Sequence, residues 1–193
     1  MRYLAYLKPK SGFVDRLSAF TREIGDHITG AFNLAPYCNI YKANLDQTKQ
    51  REIMAALEDI ARTQNPLELK LGKLSVVDES VLTVTLEPSD QLKALHTRII
   101  EALGEHVVRP VAIPPEFAKD AKRIESIKKY GSPFVGEYHK PHLTLCYVDH
   151  GFNVPNTEEF EGVPFEADRM FLAKSPGDWI PMTGFRFKGS KLV

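Results

Sequence analysis

One short pattern is written twice in this chain, and it restricts the fold more than any bulk property does. Pro36-Tyr37-Cys38-Asn39-Ile40 and Pro141-His142-Leu143-Thr144-Leu145 both run proline, ring, any residue, small polar, aliphatic, with 105 residues between equivalent positions. Each opens an apolar stretch that alternates like a β-strand, "APYCNIYKANL" and "KPHLTLCYV". "GAFNLAP" precedes the first and "GEYHKP" the second, so Gly, an aromatic and Asn or His recur ahead of each proline. Paired half-sites of this kind build a pseudo-symmetric cleft, with the two copies on neighbouring strands or facing lobes.

The elements around the two copies are legible from periodicity and punctuation. Residues 2–8 alternate as a strand, and Phe13, Leu17, Phe20 and Ile24 stand at helical spacing over 12–24, stopped by Gly25. A short strand at 27–33 and a better one at 37–43 follow. Asp46 is placed to cap a helix whose buried stripe is Ile53, Leu57, Ile60 and Ala61. "LELKLGKLSVV" and "SVLTVTLEP" read as two strands, the first kinked at Gly72, joined through Asp78-Glu79-Ser80. Ser89 or Asp90 caps a helix that turns Leu92, Leu95, Ile99 and Leu103 inward and ends at Gly104. Pro110, Pro114 and Pro115 break the chain before a lysine-rich helix at about 116–129. Strands at 142–148, 165–173 and 179–187 complete the order. Such mixing predicts an α+β fold with mainly antiparallel sheets, and the length fits one ordinary domain or two small lobes sharing a core.

Several function classes are excluded. The formal net charge is zero, so an anion site has to be local rather than the product of a global field. Nowhere do 18 apolar residues run together, so no membrane partner is expected. The apolar run before Lys8 and Lys10 is too short for a signal peptide. Cys38 and Cys146 form no CxxC pair and suit a reducing cytoplasm. No Gly-rich phosphate loop, HExxH or GxSxG is present, which leaves ATP, zinc and serine-hydrolase chemistry without support. The expectation is a cytoplasmic monomer without metal or cofactor.

In a regular strand His142, Thr144 and Cys146 share one face, and Leu143, Leu145 and Tyr147 the other. Leu143 and Leu145 require a core, so His142 and Thr144 face a cleft or a second sheet. An imidazole beside a hydroxyl suits a phosphate: the ring exchanges a proton near neutral pH while the hydroxyl donates to a phosphoryl oxygen. The plainer reading is a structural His–Thr pair satisfied by hydrogen bonds; the near-copy upstream favours the chemical one.

"PHLTL" resembles the second HxTx motif of the 2H phosphoesterase superfamily, which includes 2′-5′ RNA ligase-like proteins and cyclic nucleotide phosphodiesterases. The resemblance implies a bilobal, pseudo-twofold α+β fold with helices on the outside: one domain, 1–193, made of two similar lobes around a central cleft. It also implies two catalytic histidines, one base and one acid, with Ser or Thr side chains holding the phosphate. His142 and Thr144 match that pattern. Tyr37 stands where the first His belongs and Asn39 where its Thr belongs. Asn39 can still donate an amide N–H, but Tyr37, with a reference pKa near ~10, exchanges protons poorly at neutral pH. The implied function is binding, and hydrolysis without metal, of a phosphodiester: a 2′,3′-cyclic phosphate, a cyclic nucleotide or an RNA end. The alternative is a catalytically impaired RNA- or nucleotide-binding module of the same fold.

"HITG", His27-Ile28-Thr29-Gly30, has the letters of a first motif but lies too early and lacks the proline. His96 lies in an amphipathic helix and His106 after that helix, both structural or solvated, while His139 and His150 bracket the motif strand at its rim or on the surface. Lys119, Lys122, Arg123, Lys128 and Lys129 read as a solvated helix face, or as a phosphate-holding patch beside the aromatics Tyr130, Phe134 and Tyr138. On the second reading Tyr41, Lys128, Lys129 and Tyr138 are the candidate substrate-binding residues. Trp179, Phe185 and Phe187 are core or cleft wall.

Overall fold

The computed structural model describes residues 1–31, 34, 36–154, 160–176 and 179–190. In chain order the elements are β1 (Arg2–Leu7), α1 (Ser11–Glu23), β2 (Ile28–Ala31), β3 (Tyr37–Asn44), α2 (Gln50–Thr63), β4 (Leu67–Val77), β5 (Val81–Leu86), α3 (Asp90–Gly104), α4 (Ala121–Tyr130), β6 (His142–Val148), β7 (Pro164–Ala167), β8 (Arg169–Ser175) and β9 (Ile180–Arg186). The fold is α+β and every strand pair is antiparallel.

Strand order across the sheet is β7-β4-β5-β6-β3-β1-β8-β9, with β2 also on β6. The two motif strands, β6 and β3, are therefore adjacent at the centre with three strands outside each. The register between them is self-symmetric. Tyr37 pairs Thr144 and Cys38 pairs Leu143, so the middle residues of the two motifs face each other and a local twofold passes between them.

The symmetry extends to the backbone irregularities. Against β1, Tyr6 pairs Asn39 and Ala5 pairs Tyr41, so Ile40 is an extra residue. Against β5, Thr83 pairs Thr144 and Leu82 pairs Cys146, so Leu145 is extra. Each motif thus ends in a β-bulge at its aliphatic position, and a bulge reverses which face the following residues occupy. Cys146 consequently lies in the helix-side core rather than beside Thr144, because face parity in β6 breaks at Leu145.

The helices cover one face of the sheet. In α2, Ile53, Leu57, Ile60 and Ala61 are buried as their spacing predicts; Ile53 and Leu57, at 0% exposure, each contribute on the order of 2–3 kcal/mol. Tyr3, Ala5, Leu7, Cys38, Leu143, Leu82 and Val84 meet the helices in this main core. On the other face Leu4, Tyr6, Leu34, Tyr37 and Ala173 form a second, smaller cluster with Phe171 and Trp179 against it. Phe185 and Phe187 belong to the main core.

Three boundaries differ from the sequence reading. Asp46 accepts from Thr48 N–H at 2.9 Å and caps a 3-10 turn, Gln47–Lys49, that leads into α2. The lysine-rich helix starts at Ala121, because Pro115–Phe117 forms a separate 3-10 turn and Asp120 supplies the cap to Arg123 N–H at 3.0 Å. It ends at Gly131, whose positive φ of 68° and close approach to Val107 exclude a side chain. The single strand expected at 165–173 is two, divided at Asp168. β7 pairs β4 while β8 pairs β1; one residue carries the chain between opposite halves, so the sheet is curled. No helix among the described residues is long and apolar enough to cross a membrane.

Candidate active site

Tyr37 and Thr144 are direct cross-strand partners. Continuing that register by one step sets Asn39 across from His142. All four side chains occupy the face opposite Cys38 and Leu143, which are completely buried on the helix side. Tyr37 and Thr144 are 8% and 5% exposed, while Asn39 and His142 are half-buried. The four polar positions of the two motifs thus form one patch at the local twofold.

His142 is held in a definite tautomer. Its Nδ1 lies 2.9 Å from the Lys140 carbonyl, an acceptor only, so Nδ1 carries a proton and Nε2 is the ring nitrogen left to the patch. Burial raises the Tyr37 phenol above the usual tyrosine range; a hydrogen bond with Thr144 works the other way and Tyr147 adds to the rise. Tyr37 is therefore a protonated donor at neutral pH. Burial likewise pushes the Cys38 thiol up to about 12, which makes it inert.

Polar side chains extend the patch outward. Thr83 pairs Thr144 and Ser75 pairs Thr83, and the Ser75 and Thr83 hydroxyls lie 3.1 Å apart. Thr85, across from His142, is occupied: its hydroxyl accepts from Lys73 N–H at 2.8 Å and donates to the Lys73 carbonyl at 3.1 Å. On the opposite flank Tyr6, across from Asn39, is the symmetry counterpart of Thr83. Its ring meets Tyr37 edge-on at 5.9 Å and stacks on Phe171 at 5.3 Å, and burial lifts its phenol to about 12. Sequence reasoning missed Tyr6 because only the bulge at Ile40 brings it opposite Asn39.

Behind the patch a pair of histidines holds the bulge. His96 Nδ1 donates to the Ile40 carbonyl at 2.8 Å, and its Nε2 accepts from Gly136 N–H at 3.0 Å. His139 stacks on it, centroids 4.0 Å apart and planes within 7°, and its Nε2 donates to the Asn39 carbonyl at 3.1 Å. His139 therefore positions the motif strand instead of lying at the surface.

The other candidates fall elsewhere. The bulge turns Tyr41 into the main core, 3% exposed, where its hydroxyl donates to the Tyr130 carbonyl. It is not presented to the patch, contrary to its expected substrate-binding role. Tyr138 has Arg123 over its ring at 4.0 Å and donates to Asp120 at 3.4 Å. Lys128 and Lys129 border a shallow depression on α4 with Ala121, Ile124 and Glu125, none of which belongs to the patch. His27 contacts Asp149 at 3.3 Å, and Ile28 beside it pairs Val148. That is six residues along β6 from His142, about 20 Å, so His27 is not its partner. His106 and His150 approach Glu105 and Glu79 at 3.9 and 3.5 Å. Among the described residues no group of three or more His, Cys, Asp or Glu converges as metal ligands.

Comparison with solved structures returns the same architecture. The crystal structure of TT0787 of Thermus thermophilus matches with a TM-score of 0.64 at 12% identity, covering 99% of this chain and 100% of that one. E. coli LigT complexed with phosphate matches at 0.63 and 8% identity over 97% of each chain. LigT complexed with 3′-AMP matches at 0.62 and 10% identity, over 96% of this chain and 97% of that one. At such identities the likeness is one of fold. A search of curated protein sequences returns no match. The family model of the 2′-5′ RNA ligase superfamily matches residues 9–115. That span is more than half of the chain's 193 residues; it includes Tyr37 and Asn39 and ends before His142. With that sequence match laid on a fold that pairs the two motif strands, the chain belongs to the 2′-5′ RNA ligase superfamily, the 2H phosphoesterases that its second motif resembles.

Proposed function

We propose that this protein is a 2H-type phosphoesterase that hydrolyses a 2′,3′-cyclic phosphate at a nucleotide or RNA end, in a cleft between the two halves of the sheet. The observation that carries the reading is the self-symmetric register, Tyr37 to Thr144 and Cys38 to Leu143, which gathers the polar positions of both motifs on one face. The phosphate and 3′-AMP bound by E. coli LigT, a protein of similar fold, support the ligand class.

In this reading the cyclic phosphate lies over the patch, its non-bridging oxygens accepting from the Thr144 hydroxyl and the Asn39 amide. His142 Nε2 removes a proton from a water as its oxygen bonds to phosphorus. One ring P–O bond breaks, and the leaving ribose oxygen takes the Tyr37 proton. The phenolate then recovers a proton from solvent and His142 releases one. Donors already aimed at the phosphoryl oxygens stabilise the pentavalent state. The test is hydrolysis of a nucleoside 2′,3′-cyclic phosphate by wild type and His142→Ala. A general base contributes roughly 10²–10⁴-fold, and a loss of that size is expected. Equal turnover by both proteins would refute the role of His142.

A second reading has its own support. Tyr37 and Thr144 bond to each other and both are nearly buried, an arrangement suited to a binding module that has given up turnover. Affinity for the cyclic nucleotide without hydrolysis in wild type would select it.

A further inference from the structure

The four polar side chains of the patch supply hydrogen-bond donors but no fixed positive charge. Tyr37, Asn39 and Thr144 are neutral, and His142 must be neutral to act as the base. With a formal net charge of zero, the chain has no global field to make up the difference. A phosphate monoanion on the patch therefore calls for a cation from a neighbouring strand.

On its outer side β3 is flanked by β1, whose faces alternate regularly. Tyr3, Ala5 and Leu7 lie in the main core, and Leu4 and Tyr6 on the patch side. Lys8 comes next. Pro9 keeps the residue before it extended, so the alternation carries Lys8 to the patch side with Tyr6. In register, Tyr6 pairs Asn39 and Leu7 pairs Cys38; one further step sets Lys8 across from Tyr37. The local twofold gives the same placement. Its other half pairs Thr83 with Thr144, Val84 with Leu143 and Thr85 with His142, so Lys8 stands beside Tyr37 as Thr85 stands beside His142.

Thr85 is spent on the Lys73 backbone, whereas Lys8 enters no ion pair among the described residues. The carboxylates near this end of β1 are engaged by other cations. Lys10 holds Glu166 at 2.5 Å and lies 4.0 Å from Asp168, which Arg169 holds at 3.1 Å. Lys8 is half-buried, and burial alone holds its ammonium below the usual lysine range. A half-buried cation without a counter-ion is relieved by an anion beside it. From the position of Tyr37 to that of Thr144 is one strand spacing, about 4.8 Å, which a four-carbon stem can span.

We propose that Lys8 is a further substrate-binding residue of this site, its ammonium lying against a non-bridging oxygen of the phosphoryl group on the Tyr37 side. The assignment rests on the reading of the motif patch as a phosphate site, and not on turnover.

The experiment measures dissociation constants by NMR titration at neutral pH for inorganic phosphate, a nucleoside 2′,3′-cyclic phosphate and the uncharged nucleoside. Proteins are wild type, two neutral variants, Lys8→Met and Lys8→Gln, and the charge-conserving Lys8→Arg. In both neutral variants affinity for the two phosphates falls about tenfold or more, the scale of one hydrogen bond to a charged group, while affinity for the nucleoside holds. Lys8→Arg keeps most of the phosphate affinity. Urea unfolding separates binding from folding: Lys8→Met is at least as stable as wild type, because an apolar chain replaces a half-buried charge. Phosphate affinities equal to wild type in the neutral variants overturn the role of Lys8, whether or not the cyclic phosphate is hydrolysed. So does a wild type that binds no phosphate, or an equal loss on the nucleoside. Loss of phosphate affinity alone, from a wild type that never turns the cyclic phosphate over, keeps Lys8 and sinks the hydrolytic reading instead.

Discussion

The histidine pair behind the motif strand gives the protein a defined sensitivity to acid. His96 is 1% exposed, with Nδ1–H spent on the Ile40 carbonyl and Nε2 required as acceptor by Gly136 N–H. A second proton forfeits that acceptor and charges a ring stacked on His139. Burial, then the neighbouring His139, lower His96 from 6.5 to about 4. The unfolded chain thus binds this proton near pH 6.5 and the folded chain only near pH 4. The stability tied to it is complete above about pH 6.5, declines as pH falls, and has no further loss below about pH 4. The gap between those two values corresponds to about 3 kcal/mol in total and about 2 kcal/mol by about pH 5. His139, lowered mainly by burial, adds in the same direction. Urea unfolding followed by circular dichroism between about pH 7.5 and about pH 5 measures the loss. His96→Gln stays neutral throughout. It starts about 1–2 kcal/mol less stable, having lost one of two buried hydrogen bonds, and then declines less steeply than wild type. A variant that loses stability with acid as steeply as wild type would refute the assignment.

Three further outcomes are expected. Tyr37→His with Asn39→Thr restores the second histidine and raises cyclic-phosphate hydrolysis by about 10²-fold or more; adding His142→Ala abolishes the gain, because the two groups act as a unit. Tyr41→Phe removes the donor to the Tyr130 carbonyl and costs about 1–2 kcal/mol in urea unfolding, with cyclic-nucleotide affinity retained. Lys128→Ala/Lys129→Ala leaves cyclic-nucleotide affinity unchanged in a direct titration, since both lysines border the shallow depression on α4 and not the motif patch.

What could be read from the sequence was whatever is encoded within one element. The stripe of α2 and the Ser89 cap of α3, which accepts Leu92 N–H at 3.2 Å, follow from side chains three and four apart. The motif pair was legible because its two copies share a pattern. Residues after each motif were not, since strict alternation puts Tyr41 with Asn39 and Cys146 with Thr144. The bulges at Ile40 and Leu145 reverse both assignments. A bulge depends on the partner strand, and the partner is invisible in a local window. Tyr6 escaped for the same reason. Its relation to the motif is cross-strand, set by a register that residues 2–7 do not reveal alone. His96 and His139 look ordinary in sequence, 43 positions apart, and gain their role only by stacking.

The self-symmetric register also bears on how the molecule comes into being. Tyr37 and Thr144 are partners across 107 positions of chain, whereas β1 and β3, or β4 and β5, pair over far shorter spans. Loop-closure entropy favours the near pairings, and contacts that wait on long closures slow folding. The β1–β3 and β4–β5 pairs are thus available early, while the two motif strands meet later. During synthesis, β6 leaves the ribosome long after β3, so a truncated chain carries half of the patch and none of its geometry. Until β6 has been made, a nascent fragment holds Tyr37 and Asn39 without their partners across the local twofold.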